Sequence, residues 1–200
     1  MPRSGASVED VLVHVVVCGG TPDEWAAMSA SDWQQRFTVI SRGVSEVGAR
    51  WVTVLPHHGD ERDTGEVSRA LQASAGVACL EVHGTVRHVW NGGPDLAVVV
   101  DQSPDGHARF ARVVEALRQD GRSIDEDSLS SALSAPVDVQ ADLVLILGPP
   151  DQLPTSLVWE LAYSELVFLD ISWTDLQAVH LEMAIDDFNR RHRRFGGLDS

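Results

Sequence analysis

Three clusters carry the side chains that could do chemistry. The first is Cys18-Gly19-Gly20-Thr21-Pro22-Asp23-Glu24-Trp25, a glycine-rich turn that runs into a helix start. Such turns can cradle phosphate with backbone N–H groups. Here two carboxylates, Asp23 and Glu24, stand at the mouth and repel a diphosphate unless Mg²⁺ intervenes. The same residues also describe an ordinary helix start: Thr21 caps, Pro22 fits the first turn, and the acids suit the positive dipole end. The second cluster is His57-His58-Gly59-Asp60-Glu61. Adjacent imidazoles point in different directions and no third ligand follows at a metal-site spacing, so a solvated loop accounts for them better than a metal does. The third is Arg190, Arg191, Arg193 and Arg194, four of the fifteen basic residues of the chain. They place positive charge where a final helix has its negative end. Two thiols, Cys18 and Cys79, lie in apolar surroundings and read as buried, reduced cysteines. His14 reads as a satisfied core histidine.

The elements that must position these groups alternate between strand and helix. Residues 11–17 (VLVHVVV), 51–55 (WVTVL), 77–82 (VACLEV), 96–100 (LAVVV) and 142–147 (DLVLIL) are near-continuous apolar runs, as in strands buried on both faces. One helix is expected from Thr21 to about Val47, closed by Gly48. Others are expected at 65–76, from His107 to Gln119, and at 123–133 with Ser123 and Glu126 as a capping box. Residues 83–95 (HGTVRHVWNGGPD) read as turns. After Gly148-Pro149-Pro150 breaks the last long strand, a helix restarts at Pro154 with Leu157, Trp159, Leu161 and Ala162 inward. A closing helix is capped by Thr174 and Gln177, with Leu176, Val179, Met183 and Phe188 inward. Strands alternating with helices predict an α/β fold with a central, mostly parallel sheet flanked by helices. Open sheets of this kind place ligands at the carboxyl ends of their strands, where the first two clusters fall.

The chain has 200 residues, enough for one domain with a sizeable core. One domain is expected across 1–200, with flexible ends at 1–8 and 198–200. Acidic residues number 30 against 15 basic, a formal charge of −15. That balance repels phosphate backbones and argues against nucleic-acid partners. No apolar run is long enough for a transmembrane segment and the start lacks a secretory core, so a cytoplasmic protein is expected, at most peripheral to a membrane through a partner.

The order of residues over 142–197 resembles the carboxyl end of the cis-prenyltransferases, the undecaprenyl diphosphate synthase group. The family runs D-L-V-I-R-T-G-G-E-x-R-x-S, then L-W-Q-x-A-Y-A-E-L-x-F, a W-P-D-F turn, a helix and R-R-F-G-G. Trp159, Ala162, Tyr163, Glu165, Leu166, Phe168, Trp173, Asp175, Arg193, Arg194, Phe195, Gly196 and Gly197 match it in order. The resemblance implies the family fold. It also implies Mg²⁺-dependent condensation of isopentenyl diphosphate with an allylic diphosphate.

The departures from the family are as specific as the matches. The allylic diphosphate loop, M-D-G-N-G-R-W-A in the family, is replaced by Cys18, Gly19, Gly20, Thr21, Pro22, Asp23 and Glu24 before Trp25-Ala26. The family aspartate falls at Cys18 or Gly19 and its arginine near Glu24. At the isopentenyl site Ile146, Gln152 and Pro154 replace two arginines and a serine. The chain is also short around 70–95, where the family places the long helices that wall its product tunnel, so shortened tunnel helices are expected. What is kept is Glu165, which the resemblance makes an Mg²⁺ ligand near the dimer interface, and the Arg194-x-Gly196 tail that reaches a partner's site. Tyr163, Phe168 and Trp173 join Glu165 at that interface by the same resemblance. The pattern is similar to the non-catalytic, Nogo-B receptor-type subunit of two-component enzymes. Its partner would be a catalytic homologue, or the chain itself as a dimer, around a prenyl diphosphate with Mg²⁺ at a shared site. An active prenyltransferase of altered specificity, with Asp23, Glu24 and Glu165 as metal carboxylates, and a homodimeric scaffold are the alternatives.

Overall fold

A computed structural model describes residues 12–60 and 65–195, with side chains to Arg191. In chain order the elements are β1 (His14–Cys18), α1 (Pro22–Ala26), α2 (Ala30–Val44), β2 (Trp51–Leu55), α3 (Gly65–Ala73), β3 (Val77–Val82) and β4 (Thr85–Asn91). Then follow β5 (Ala97–Asp101), α4 (Gly106–Gln119), α5 (Glu126–Ser134), β6 (Leu143–Leu147), α6 (Glu160–Tyr163), β7 (Glu165–Leu169) and α7 (Ala178–Phe195). The strands form one sheet in the order β3-β4-β5-β2-β1-β6-β7. The five strands from β5 to β7 run parallel, and β4 and β3 are antiparallel additions at one edge. The expected mostly parallel sheet is therefore present.

β1 sits between β2 and β6, and all five of its residues are buried. Valines are suited to this position because their branched side chains pack well on a pleated surface. One face of the sheet is covered by α2 and α7. The stripe Trp33, Phe37, Ile40 and Val44 of α2 enters the main core with Leu181, Ala184, Ile185 and Phe188 of α7. The two helices approach closely because Gly43 has no side chain: a Cβ there would lie 2.6 Å from Leu181 Cβ. The other face carries α4 and α5, whose Val113, Leu117, Ala132 and Leu133 form a separate cluster.

Several sequence expectations are corrected. The helix expected from Thr21 to Val47 is two helices, because Ser29 and Asp32 form a second capping box and restart the turn. Residues 83–95 are not simply turns. His83 and Gly84 both have positive φ, 48° and 71°, and Val82 pairs with Thr85, which makes a two-residue hairpin turn. The β-branched and aromatic run that follows is β4. Residues 77–91 are thus an antiparallel hairpin where tunnel helices had been expected. Cys79, on edge strand β3, is exposed rather than buried. Asp125, not Ser123, caps α5, its carboxylate accepting from the Ser128 N–H at 2.8 Å. The helix expected from Pro154 is the single turn α6. Leu157 is buried in the segment before it, but Ala162 is exposed. In α7 the inward face starts its phase at Ala178, so Val179 (46% exposed) and Met183 (55%) face outward. Leu176 is buried from the preceding turn instead. Arg194 lies in the last turn of α7 with its side chain outside the described residues, and Gly196 and the ends 1–8 and 198–200 also lie outside them.

Candidate functional site

The sheet order reverses at β1. From β1 the chain moves to β2 and on to β5, then returns to the opposite side of β1 as β6. A crevice opens at such a switch point, beyond the carboxyl ends of the strands. Here it has a volume of about 250 Å³, and its walls come from Gly20, Thr21 and Glu24 after β1, His57 and His58 after β2, Gly148 and Gln152 after β6, and Trp173 after β7.

Backbone hydrogen bonds stitch these loops together. The Gly19 N–H donates to Leu55 O at 2.9 Å, the His57 N–H to Gly20 O at 2.7 Å, and the Thr155 N–H to His57 O at 3.0 Å. Gly20 has φ +73°, and a Cβ there would meet Trp25 Nε1 at 2.6 Å and Trp173 Cγ at 2.9 Å. The loop backbone therefore rests directly on an aromatic cluster. Trp25, Trp33 and Trp173 pack with centroids 5.4, 5.7 and 6.2 Å apart, and all three are at most 2% exposed. Trp25 is thus a core residue under the loop rather than a ligand contact. Trp173 is equally inside its own chain, with the Arg36 guanidinium 4.5 Å from its ring centroid. It offers no surface to a partner, which removes it from the expected interface.

The carboxylates at the mouth are already in use or face solvent. Thr21 N–H donates to Glu24 Oε2 at 2.8 Å and Glu24 N–H donates to Thr21 Oγ1 at 3.2 Å, a complete capping box for α1. Asp23 is exposed. Glu165 opens β7 in register with Leu143, at the opposite end of the parallel strands. A five-residue strand, roughly 15 Å, therefore separates it from Asp23 and Glu24. One metal cannot join these three within a single chain, because each sits at a fixed end of the same rigid sheet. No cluster of three or more metal-ligating side chains occurs among the described residues. Mg²⁺ therefore does not fit this crevice as the described residues build it.

Among the described residues Glu24 is the one carboxylate that lines the crevice, and no lysine or arginine does. The titratable groups that remain are the two histidines. His57 is 5% exposed, and its Nδ1 lies 3.0 Å from His58 Nδ1. Its Nε2 faces Gly148. Burial, and secondarily the neighbouring imidazole, lower its pKa, so it stands in the crevice as a neutral donor or acceptor. Tyr163 is exposed and its hydroxyl donates to Glu126 Oε1 at 2.8 Å, while Phe168 is half-buried on β7.

A second polar cluster was not anticipated. Arg87 of β4 and Asp101 of β5 are cross-strand partners, with Nε and Oδ2 3.1 Å apart. Arg109 of α4 lies 3.8 Å from the same carboxylate oxygen and donates to Glu160 Oε1 at 2.6 Å. Arg87, Asp101 and Arg109 are each at most 3% exposed. Burial raises the Asp101 pKa, but the two guanidiniums and the Ser103 N–H outweigh it and hold the group below the ordinary carboxylate range. The available signal was Arg109 itself, which precedes Val113 and Leu117 at four-residue spacing and so sits on the apolar face of α4.

The family model described as "Putative undecaprenyl diphosphate synthase" matches residues 95–196. "Isoprenyl transferase 2" of Bradyrhizobium diazoefficiens is 43% identical over 90 residues, 45% of this chain and 36% of that protein. A ditrans,polycis-undecaprenyl-diphosphate synthase of Lactiplantibacillus plantarum is 40% identical over 87 residues, 40% of this chain and 34% of that protein. The chain thus matches about a third of the length of these relatives. Among solved structures, a probable undecaprenyl diphosphate synthase from Campylobacter jejuni superposes with a TM-score of 0.56 at 14% identity, covering 92% of this chain and 98% of that one. Lavandulyl diphosphate synthase from Lavandula x intermedia superposes with a TM-score of 0.55 at 13% identity, covering 88% and 94%. At these identities the likeness is one of fold.

Proposed function

Because the chain belongs to the putative undecaprenyl diphosphate synthase family, the cis-prenyltransferases, we propose that it is a non-catalytic subunit of a heteromeric polyprenyl diphosphate synthase. The observation that carries this reading is the crevice itself: among the described residues no lysine or arginine lines it, and Glu24 is its one carboxylate. A charge-assisted hydrogen bond contributes about 1.5–3 kcal/mol. Lacking two arginine partners for a diphosphate costs roughly 3–6 kcal/mol, or 10²–10⁴ in affinity. The lone carboxylate adds repulsion.

In this reading the fold serves as a scaffold. The partner supplies the diphosphate site and its Mg²⁺ ligands, and Arg194 and Gly196 reach that site in trans. Tyr163, Glu165 and Phe168, at or beside the β7 edge, form the contact surface. A second reading, an active prenyltransferase of altered specificity, is favoured by the names of the relatives that share the carboxyl half. It would rely on His57 and a single carboxylate, Glu24, rather than on paired carboxylates.

The test is prenyl transfer from isopentenyl diphosphate to a short allylic diphosphate with Mg²⁺, run on the pure protein and on its mixture with a catalytic homologue. Silence alone with stimulation in the mixture, lost in Arg194→Ala, is the expected result. Turnover by the pure protein would establish the second reading. No effect in either arm would leave a homodimeric scaffold.

A further inference from the structure

Beneath the face of the sheet that carries α4 and α5 lies a cavity of about 40 Å³ that shares no lining residue with the crevice. Its walls combine Val16, Val99 and Leu133 with the charged cluster Arg87, Asp101, Arg109 and Glu160. Three polar atoms of residues that line it have no hydrogen-bond partner: Arg109 Nε, Trp159 Nε1 and Glu160 Oε2. His14 and Arg109 are 3% and 2% exposed. A buried polar group without a partner costs about 1–3 kcal/mol, so several unmet groups around one space point to an occupant.

The chemistry of the occupant follows from the unmet set. Two guanidiniums and two carboxylates already balance, and an added ion would be a buried unpaired charge. The occupant is therefore neutral. Arg109 Nε and Trp159 Nε1 are donors and need an acceptor, whereas Glu160 Oε2 needs a donor. Water needs roughly 10–15 Å³ of such space, so about three water-sized units fit. A carbonyl and an N–H on one small body meet these requirements together. We propose that this cavity is a binding site for a small neutral carboxamide, its carbonyl directed to Arg109 and Trp159 and its N–H group to Glu160. The site is independent of the prenyl diphosphate chemistry.

The test is nitrogen-15 NMR of the tryptophan indoles, with the Trp159 signal assigned by Trp159→Phe, during titration with acetamide. A saturable shift of Trp159 Nε1–H is expected, with acetate and methylammonium producing none. Trp159→Phe, followed through the His14 ring signals, should weaken acetamide binding about fivefold, the loss of one neutral hydrogen bond. Circular dichroism and thermal melting verify that the variant is folded. If its melt shows that it is not, acetamide soaked into wild-type crystals decides: density for the amide between Arg109 and Glu160 supports the site. A cavity that keeps only water in those crystals, an unsaturable shift, or an equal response to acetate would overturn it.

Discussion

Replacing Gly20 by alanine tests how the crevice is built. Two costs are expected. The first is conformational: at φ +73° an L-residue carries the left-handed penalty of about 1–2 kcal/mol. The second is steric. The new methyl would lie 2.6 Å from Trp25 Nε1 and 2.9 Å from Trp173 Cγ, inside an aromatic cluster with nowhere to move. Overpacking of that kind costs about 1–3 kcal/mol. Together Gly20→Ala should lose roughly 2–5 kcal/mol, a fall in Tm of about 4–20 °C for a chain of this size. Gly48→Ala supplies the comparison, because Gly48 has φ +70° and a Cβ there meets nothing within 4 Å. It should show the conformational cost alone. Urea unfolding of both variants beside wild type, followed by tryptophan fluorescence, measures the difference. Equal losses in the two variants would refute the claim that the tryptophan cluster supports the loop backbone.

Two further outcomes follow from the titratable groups. Burial lowers the His14 pKa from 6.5 to about 4. The unfolded chain therefore takes up the proton first: stability from neutral His14 is complete above about pH 6.5 and is lost as pH falls toward 4. The loss amounts to about 3 kcal/mol at 1.36 kcal/mol per pH unit. Urea unfolding at pH 7 and pH 4.5 should show this component in wild type and not in His14→Gln; identical pH slopes would refute it. The Cys18 thiol, fully buried and donating to Pro56 O at 3.4 Å, is pushed up to about 12 by burial. Iodoacetamide under native conditions should therefore label Cys79 alone, as one added group by mass spectrometry, and both thiols in denaturant.

Much of the parallel sheet was legible because its strands are continuous apolar runs that few other structures could bury. The closing helix was legible in extent but not in phase. Val179 and Met183 have the right spacing for a buried face, and only the start at Ala178 shows that Leu181, Ala184, Ile185 and Phe188 are that face. The β3–β4 hairpin was missed because Arg87 and His88 interrupt the apolar pattern of β4. Both are buried by partners elsewhere in the chain, Asp101 for Arg87 and Gln102 for His88. A pattern of single residues cannot carry that kind of pairing. The crevice was legible as a place, since its loops end strands. Its chemical character depends on which side chains turn inward. Glu24, for instance, turns back on Thr21 and caps its own helix.

The central position of β1 sets an order of assembly. Its neighbour β2 is made soon after it, but β6 arrives only when most of the chain exists. The carboxylate of Asp142, which accepts from the Val13 and His14 N–H groups at 2.8 and 2.9 Å, stands 129 and 128 residues away from them. Until that segment leaves the ribosome, β1 keeps one edge of unpaired backbone and apolar valines open. Pairing at such long range is slow, and an open edge is adhesive while it waits. The crevice, bounded by β1 and β6, cannot close before β6 is made, so a chain cut short of it lacks the wall that Gly148 and Gln152 supply. What is shielded during synthesis is then a matter for chaperones rather than for the native contacts.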